Sequence, residues 1–135
     1  MDLMDSLAIS AAGMRVQGER LRVISENVAN ADSVSETPGG DPYRRKTITF
    51  QNALDREMGV SLVKVKKVGL DPSEFTRKYD PTNPAADKAG YVKLPNVNAL
   101  IEMNDMREAQ RSYEANLKVI EVARGMLSRT IDLLR

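Results

Sequence analysis

Residues 98–134 read NALIEMNDMREAQRSYEANLKVIEVARGMLSRTIDLL. One column spaced by seven holds Met106, Tyr113, Ile120, Leu127 and Leu134, and is apolar throughout. A second holds Met103, Gln110, Leu117, Arg124 and Ile131, and is mixed. Sevenfold spacing places each column along one side of an α-helix. At about 1.5 Å per residue such a helix is on the order of 50 Å long, which is long for a domain of this size. Asn96 or Asn98 stands where an N-cap belongs.

The opposite end carries a matching signal. Leu7, Met14, Leu21 and Val28 recur at the same spacing over residues 2–30. Leu3 and Ile24 occupy companion positions, with Ser10 and Gln17 as polar interruptions. Gly13 and Gly18 lie inside this stripe, and each costs about 1 kcal/mol relative to Ala in an isolated helix. The helix is therefore weak alone and open to close approach by a neighbour. It is expected to end near Asn30, before the Ser-, Pro- and Gly-rich loop of residues 32–42.

Between them, three short runs alternate as strands do. Ile48 and Phe50 share a face in residues 47–50; Val63 and Val65 oppose Lys64 and Lys66 in residues 61–66; Phe75 and Tyr79 share a face in residues 75–79. Residues 80–84 (DPTNP) and 94–96 (LPN) read as turns. The expected fold is α+β, with N- and C-terminal helices pairing as a coiled-coil-like core around a small β-rich insert. The expected divisions are an N-terminal helix over 1–31, loop and insert over 32–96, and the long helix over 97–135. Pairing the ends closes a loop of some sixty residues, and that entropy rises only slowly with length.

Composition narrows the function. The chain has 135 residues, 41% hydrophobic and 4% aromatic, with no Trp, so a core rests on Leu, Val, Ile, Met and Ala. Twenty basic residues against nineteen acidic give a net charge of +1, without the basic excess that phosphate binding demands, so no nucleic-acid partner is expected. There is no Cys and no His, which removes thiol nucleophiles, zinc–thiolate sites and imidazole bases. Carboxylates alone remain, the candidates being Glu102, Asp105, Glu108 and Glu114; the first three fall near one helical side, with Arg107 and Arg111 beside them. A salt-bridged face is the expected reading, with no catalytic, cofactor-binding or metal-binding residues, no cofactor and no enzyme activity. Met103, Met106 and Met126 read as adaptable packing side chains.

The start of the chain has Asp2 and Asp5 and no early Lys or Arg, unlike a cleaved secretory signal. No stretch approaches the roughly 18 apolar residues of a membrane span, so no direct membrane insertion is expected. A stripe of this kind is ordinarily the core face of a helical hairpin; stripes longer than a small insert can cover, interrupted by glycines and polar residues, suit instead packing against other subunits. Asn27 and Asn30 suit either inter-subunit hydrogen bonds or local helix-end capping, the local role being expected for at least one. Tyr43-Arg44-Arg45-Lys46 suits equally a dock for an acidic neighbour and a solvated strand entry. Tyr91, Pro95 and Asn96 suit a corner that aims the long helix.

Particular words add to periodicity. Residues 9–14 (ISAAGM) and 23–32 (VISENVANAD) resemble the N-terminal motif shared by flagellar rod and hook proteins. Residues 37–46 (TPGGDPYRRK), 79–87 (YDPTNPAAD), 90–98 (GYVKLPNVN), 102–106 (EMNDM) and 111–116 (RSYEAN) look like the FlgC branch of that family. Ser33 departs from the Thr common there but keeps a hydroxyl, and residues 61–76 match least. The resemblance implies a non-catalytic structural subunit of the basal-body proximal rod, self-assembling into a helical rod that carries torque and encloses an export channel. It implies export by the flagellar type III apparatus without a cleaved signal, into the periplasm-spanning rod. Implied neighbours are FlgB, FlgF and FlgG and the ring–rod junction protein FliE. The subunit-interface residues expected on this basis are Leu7, Met14, Leu21, Ile24, Val28, Asn27, Asn30, Met103, Met106, Tyr113, Asn116, Leu117, Ile120 and Leu127. A rival reading is a cytosolic coiled-coil adaptor forming a closed oligomer.

Overall fold

The computed structural model describes residues 2–135. Its elements are α1 (Leu3–Ala29), β1 (Lys46–Asp55), β2 (Val60–Leu70), β3 (Thr76–Tyr79), β4 (Tyr91–Leu94) and α2 (Ala99–Leu133). The fold is α+β, with a helix at each end and two two-stranded sheets between, β1 with β2 and β3 with β4. The helices keep within a residue or two of the expected bounds. The runs at 47–50 and 61–66 lie inside β1 and β2, and the run at 75–79 is β3 with Phe75 just ahead of it.

The strand β4 was not anticipated, because residues 90–96 read as a corner. Four residues between Gly90 and Pro95 are too short for alternation to register, and Val92 alone of them is fully buried. Pairing is antiparallel, with Thr76 opposite Leu94 and Tyr79 opposite Tyr91. Gly90 has φ +86°, and a β-carbon there would stand 2.8 Å from Tyr79 Cε2, so both backbone and space demand glycine. The Asp87 carboxylate organises the turn, accepting the N–H groups of Ala89 at 2.9 Å and Tyr91 at 3.0 Å. Tyr91's amide first, then Ala89's, hold its carboxyl below the usual carboxylate range.

Both helices start on side-chain caps. Asp2 Oδ1 accepts the Asp5 N–H at 3.1 Å while the Asp2 N–H donates to Asp5 Oδ2 at 2.9 Å, a reciprocal capping pair. Asn98 Oδ1 accepts the N–H groups of Leu100 and Ile101 at 3.1 and 3.4 Å, so the N-cap of α2 is Asn98. Asn96 has other partners, described below.

Two compact units divide the chain. One comprises the chain up to Leu21, Ile48–Lys67, and the chain from Arg107. Within it the two helical segments run antiparallel, Gly13 facing Asn116 and Arg20 pairing with Glu108 at 3.5 Å. Its buried residues are small: Ser10, Ala12, Val16, Ala109 and Ala123. Most of the β1–β2 hairpin also falls here and is largely exposed. Such a hairpin is marginal by itself in water.

The other unit comprises Arg22–Thr47 and Val68–Met106. It holds the β3–β4 sheet, and buries Val23, Ile24, Ala85 and Val92 together with Asn27 and Glu102.

Candidate subunit interface

The buried face of the terminal helices is not the face that large apolar residues mark. On α1 the deepest positions are Val16, Val23, Ile24 and Asn27, whereas Leu7, Met14, Leu21 and Val28 are only half-buried. On α2 the inward column is Glu102, Ala109, Asn116 and Ala123, of which Asn116 is half-buried. Small side chains let two helices approach closely, and that leaves the larger side chains at the margin or outside.

The expected interface residues therefore fall into three groups. Ile24 and Asn27 are buried inside their own unit. Leu7, Met14, Leu21, Val28, Asn30, Met106, Tyr113, Asn116 and Ile120 are half-buried, and Met103, Leu117 and Leu127 are exposed. Further large apolar side chains on α2 stand exposed, namely Leu100, Ile101, Val119, Val122, Met126, Ile131 and Leu133, with Leu134 just beyond its end. Of these, Ile131 and Leu134 sit in the two heptad columns. Met126 was read from its chemistry as a packing side chain, and the rest were passed over because they lie outside the columns. The available signal was the number of apolar residues left over once both columns were filled, more than one helical partner covers.

Part of this surface forms a groove. Leu3 and Ser6 of α1 face Ala115, Val119, Val122 and Met126 of α2 around a mostly apolar space of about 510 Å³. The four α2 residues follow a spacing of four, three and four, so they make one stripe along the helix.

A polar junction occupies the other unit. Asn27 Oδ1 accepts the Tyr43 hydroxyl at 2.8 Å and the Lys46 N–H at 2.9 Å, while Nδ2 donates to the Lys46 carbonyl at 2.9 Å and reaches Glu102 Oε2 at 3.4 Å. This bolts residues 43–46 onto α1 by backbone groups, so Asn27 plays a role within the subunit. Arg45 then reaches α2, its Nε donating to Glu102 Oε1 and its Nη1 to Asp71 Oδ2 at 3.4 Å. Asn96 completes the frame, accepting the Arg45 N–H at 2.8 Å and donating to the Asp71 and Ser73 carbonyls at 3.1 and 3.2 Å. Asn30 acts locally, donating to the Glu26 carbonyl at 2.8 Å.

Charge in this junction is matched. Burial opposes the Arg45 charge, and the hydrogen bonds it donates to Glu102 and Asp71 outweigh that, so Arg45 holds its proton more firmly than usual. Lys46 Nζ lies 2.7 Å from Glu26 Oε2. That bond lowers the Glu26 carboxyl and raises the Lys46 ammonium. The Ser73 hydroxyl and N–H lower Asp71, and burial pushes the Tyr43 phenol up. Thus Tyr43, Arg45 and Lys46 are engaged inside the subunit, and Arg44 stacks over Phe75 at 4.2 Å.

The first three carboxylates of α2 each lie near a guanidinium. Glu102 pairs with Arg45, Asp105 lies 4.0 Å from Arg45, and Glu108 pairs with Arg20. Among the described residues no group of three or more acidic side chains could hold a metal ion. No described helix is long and apolar enough to cross a membrane.

Residues 88–133 match the family model described as "Flagellar basal body rod FlgEFG protein C-terminal". The chain is 60% identical to the flagellar basal-body rod protein FlgC of Agrobacterium fabrum, over 94% of this chain and 91% of that one. It is 39% identical to FlgC of Salmonella typhimurium, over 98% of each chain. Identity to FlgC of Bacillus subtilis is 37%, over 98% of this chain and 99% of that protein. These relatives lend no support to the cytosolic adaptor. With helices at both ends, an apolar surface left open on α2, and relatives matching from end to end, the chain belongs to the FlgC family of flagellar basal-body rod proteins.

Proposed function

We propose that the chain is a non-catalytic subunit of the proximal rod and assembles by burying the exposed apolar residues of α2 against sister molecules. One observation carries this reading. Leu117, Val119, Val122, Met126, Leu127 and Ile131 are all exposed on a single helix. A large exposed apolar surface is uncommon on a free-standing protein, and fully burying each such side chain is worth about 1.5–3 kcal/mol.

The half-buried residues of both helices, from Leu7 to Val28 and from Met106 to Ile120, would border the same contacts. Residues 1–31 and 97–135 would act as axial segments, and 32–96 as the insert between them. Contacts that do not close into a ring stack into a helical tube, so a stiff shaft with a central export channel follows from repetition of the same contacts. FlgB, FlgF, FlgG and FliE are the neighbours such a subunit would meet, after passage through the flagellar type III apparatus without a cleaved signal. The rod spans the periplasm, and the helices would gain order as they assemble.

The deciding experiment is deletion of the gene with imaging of basal bodies. The expected result is basal bodies lacking a complete rod, with no hooks and no swimming, restored by the intact gene. A deletion strain that builds hooks and swims overturns the reading.

A further inference from the structure

We infer that the exposed face of the β3–β4 sheet docks the acidic loop of a second copy of this chain through Asp32 and Glu36 of that loop. The inference deepens the rod reading, on which it rests for copies lying close together. Its test uses purified chain, so each can fail without the other.

Strand register builds the face. Arg77 stands directly opposite Lys93, and Tyr79 directly opposite Tyr91. Side chains two apart along a strand share a side, so both pairs project together. The tyrosine rings meet edge-on at 5.3 Å and are 63% and 44% exposed. Arg77 and Lys93 also line a cavity of about 320 Å³, together with Arg44, Phe75, Asp41 and Glu74. Tyrosine and arginine are the residues that protein contacts favour at such a face.

Like charges directly opposite one another in a sheet destabilise it. Little within the chain relieves this pair. Lys93 Nζ lies 3.1 Å from Asp41 Oδ1, but the Asp41 side chain is 71% exposed, and surface pairs of this kind are weak. Asp87 feels the Arg77 charge, yet its Oδ1 already accepts the Ala89 and Tyr91 amides. The Asp71 and Ser73 carbonyls hold Arg44 at 2.8 and 3.0 Å, which keeps a third cation beside the pair without using a carboxylate. An incoming carboxylate therefore relieves a repulsion that folding leaves in place.

The chain supplies carboxylates of the right kind. Between Arg22 and Arg44 it has no Lys or Arg, and the loop there carries Asp32, Glu36 and Asp41. Asp32 and Glu36 are exposed. A basic face on one copy meeting an acidic loop on the next is a heterologous contact, which can repeat from copy to copy.

The chain has no cysteine, so single introduced thiols report without background. T37C places one beside the loop carboxylates, and E74C places one at the cavity. Full-length T37C and E74C chains, mixed in equal amounts with a short bismaleimide, are expected to give mainly the mixed dimer. Yield should fall at about 0.5 M salt. R77E/K93E in the E74C chain should lower it roughly tenfold, and R77E alone should lower it less. D32K/E36K in the T37C chain should restore the yield with R77E/K93E, and that rescue also shows that the reversed chains fold. Absence of the mixed dimer, or a yield indifferent to R77E/K93E, overturns the inference. A loss that D32K/E36K does not restore overturns it too, since the face would then not receive this loop.

Discussion

Gly13 of α1 lies directly against the Asn116 side chain of α2, whose Nδ2 would be 2.8 Å from a β-carbon at position 13. Asn116 is itself held, donating to the Ser112 carbonyl at 2.9 Å. Gly18, in the same helix, has no atom within 4 Å of its would-be β-carbon. The two glycines should therefore respond oppositely to alanine. Gly18→Ala is expected to stabilise by up to about 1 kcal/mol through helix propensity alone. Gly13→Ala gains the same propensity but displaces Asn116, and is expected to be neutral or destabilising. Thermal unfolding of both variants checks this, and a matching gain at both sites would contradict the close approach.

Asn27 matters through what it satisfies. It is 1% exposed and serves the Tyr43 hydroxyl and both backbone groups of Lys46. Asn27→Ala leaves buried polar groups unmatched, at about 1–3 kcal/mol each, so a loss of about 2–4 kcal/mol is expected in urea unfolding. Asn30→Ala removes one local bond to the Glu26 carbonyl and should lose about 1 kcal/mol or less.

The two halves of the buried ion pair are not equivalent. Glu102 has 1% of its side chain exposed and Arg45 has 25%. Arg45→Ala strands a buried carboxylate and should destabilise by about 3 kcal/mol or more. Glu102→Ala leaves a guanidinium that keeps Asp71 and some water, so a smaller loss is expected. Paired denaturation curves test the order, and an equal or reversed order would count against this account.

Acid should weaken the subunit at a defined point. Glu26, Asp71 and Asp87 all have lowered folded-state values, held by Lys46, by Ser73 and by the Tyr91 amide respectively. A lowered carboxyl contributes stability that is present above its unfolded value, about 4, and is lost as pH falls through the folded value. Lys46 is raised, so its contribution is present below about 10.4 and is lost as pH rises beyond that. Melting temperature should stay nearly level from about pH 5 to 9 as far as these groups act, and fall below pH 4. With Glu26→Gln the acid loss should be smaller.

The exposed apolar residues of α2 are expected to separate assembly from folding. Val122→Lys or Leu127→Lys changes an exposed position, so monomer stability should shift by no more than about 0.5 kcal/mol. Rod formation and swimming should fail. Normal motility in both variants would place the subunit contacts elsewhere.

Much of the helix–sheet–helix order could be read from period alone. Sevenfold recurrence marked both helices to within a residue or two, and alternation marked β1, β2 and β3. What escaped was the four-residue β4, whose pairing depends on β3 and the Asp87 turn. The inward face escaped as well. Side-chain size suggested Leu7, Met14 and Leu21, whereas packing chose Ala12, Val16 and Val23. Glu102 was read on a charged helix face beside Arg107 and Arg111, and Arg45 as a strand entry or a dock for a neighbour, because nothing local brings residues 57 apart in the chain together.

Taken by itself, the order of residues determined where helices and most strands form, since periodicity, capping and turn chemistry act over a few neighbours. It also determined the family, through words that run almost the whole chain. Only the tertiary structure decided which helix face turns inward and which apolar side chains remain exposed. That choice depends on how closely two backbones approach, and on a buried carboxylate meeting a guanidinium from a distant segment.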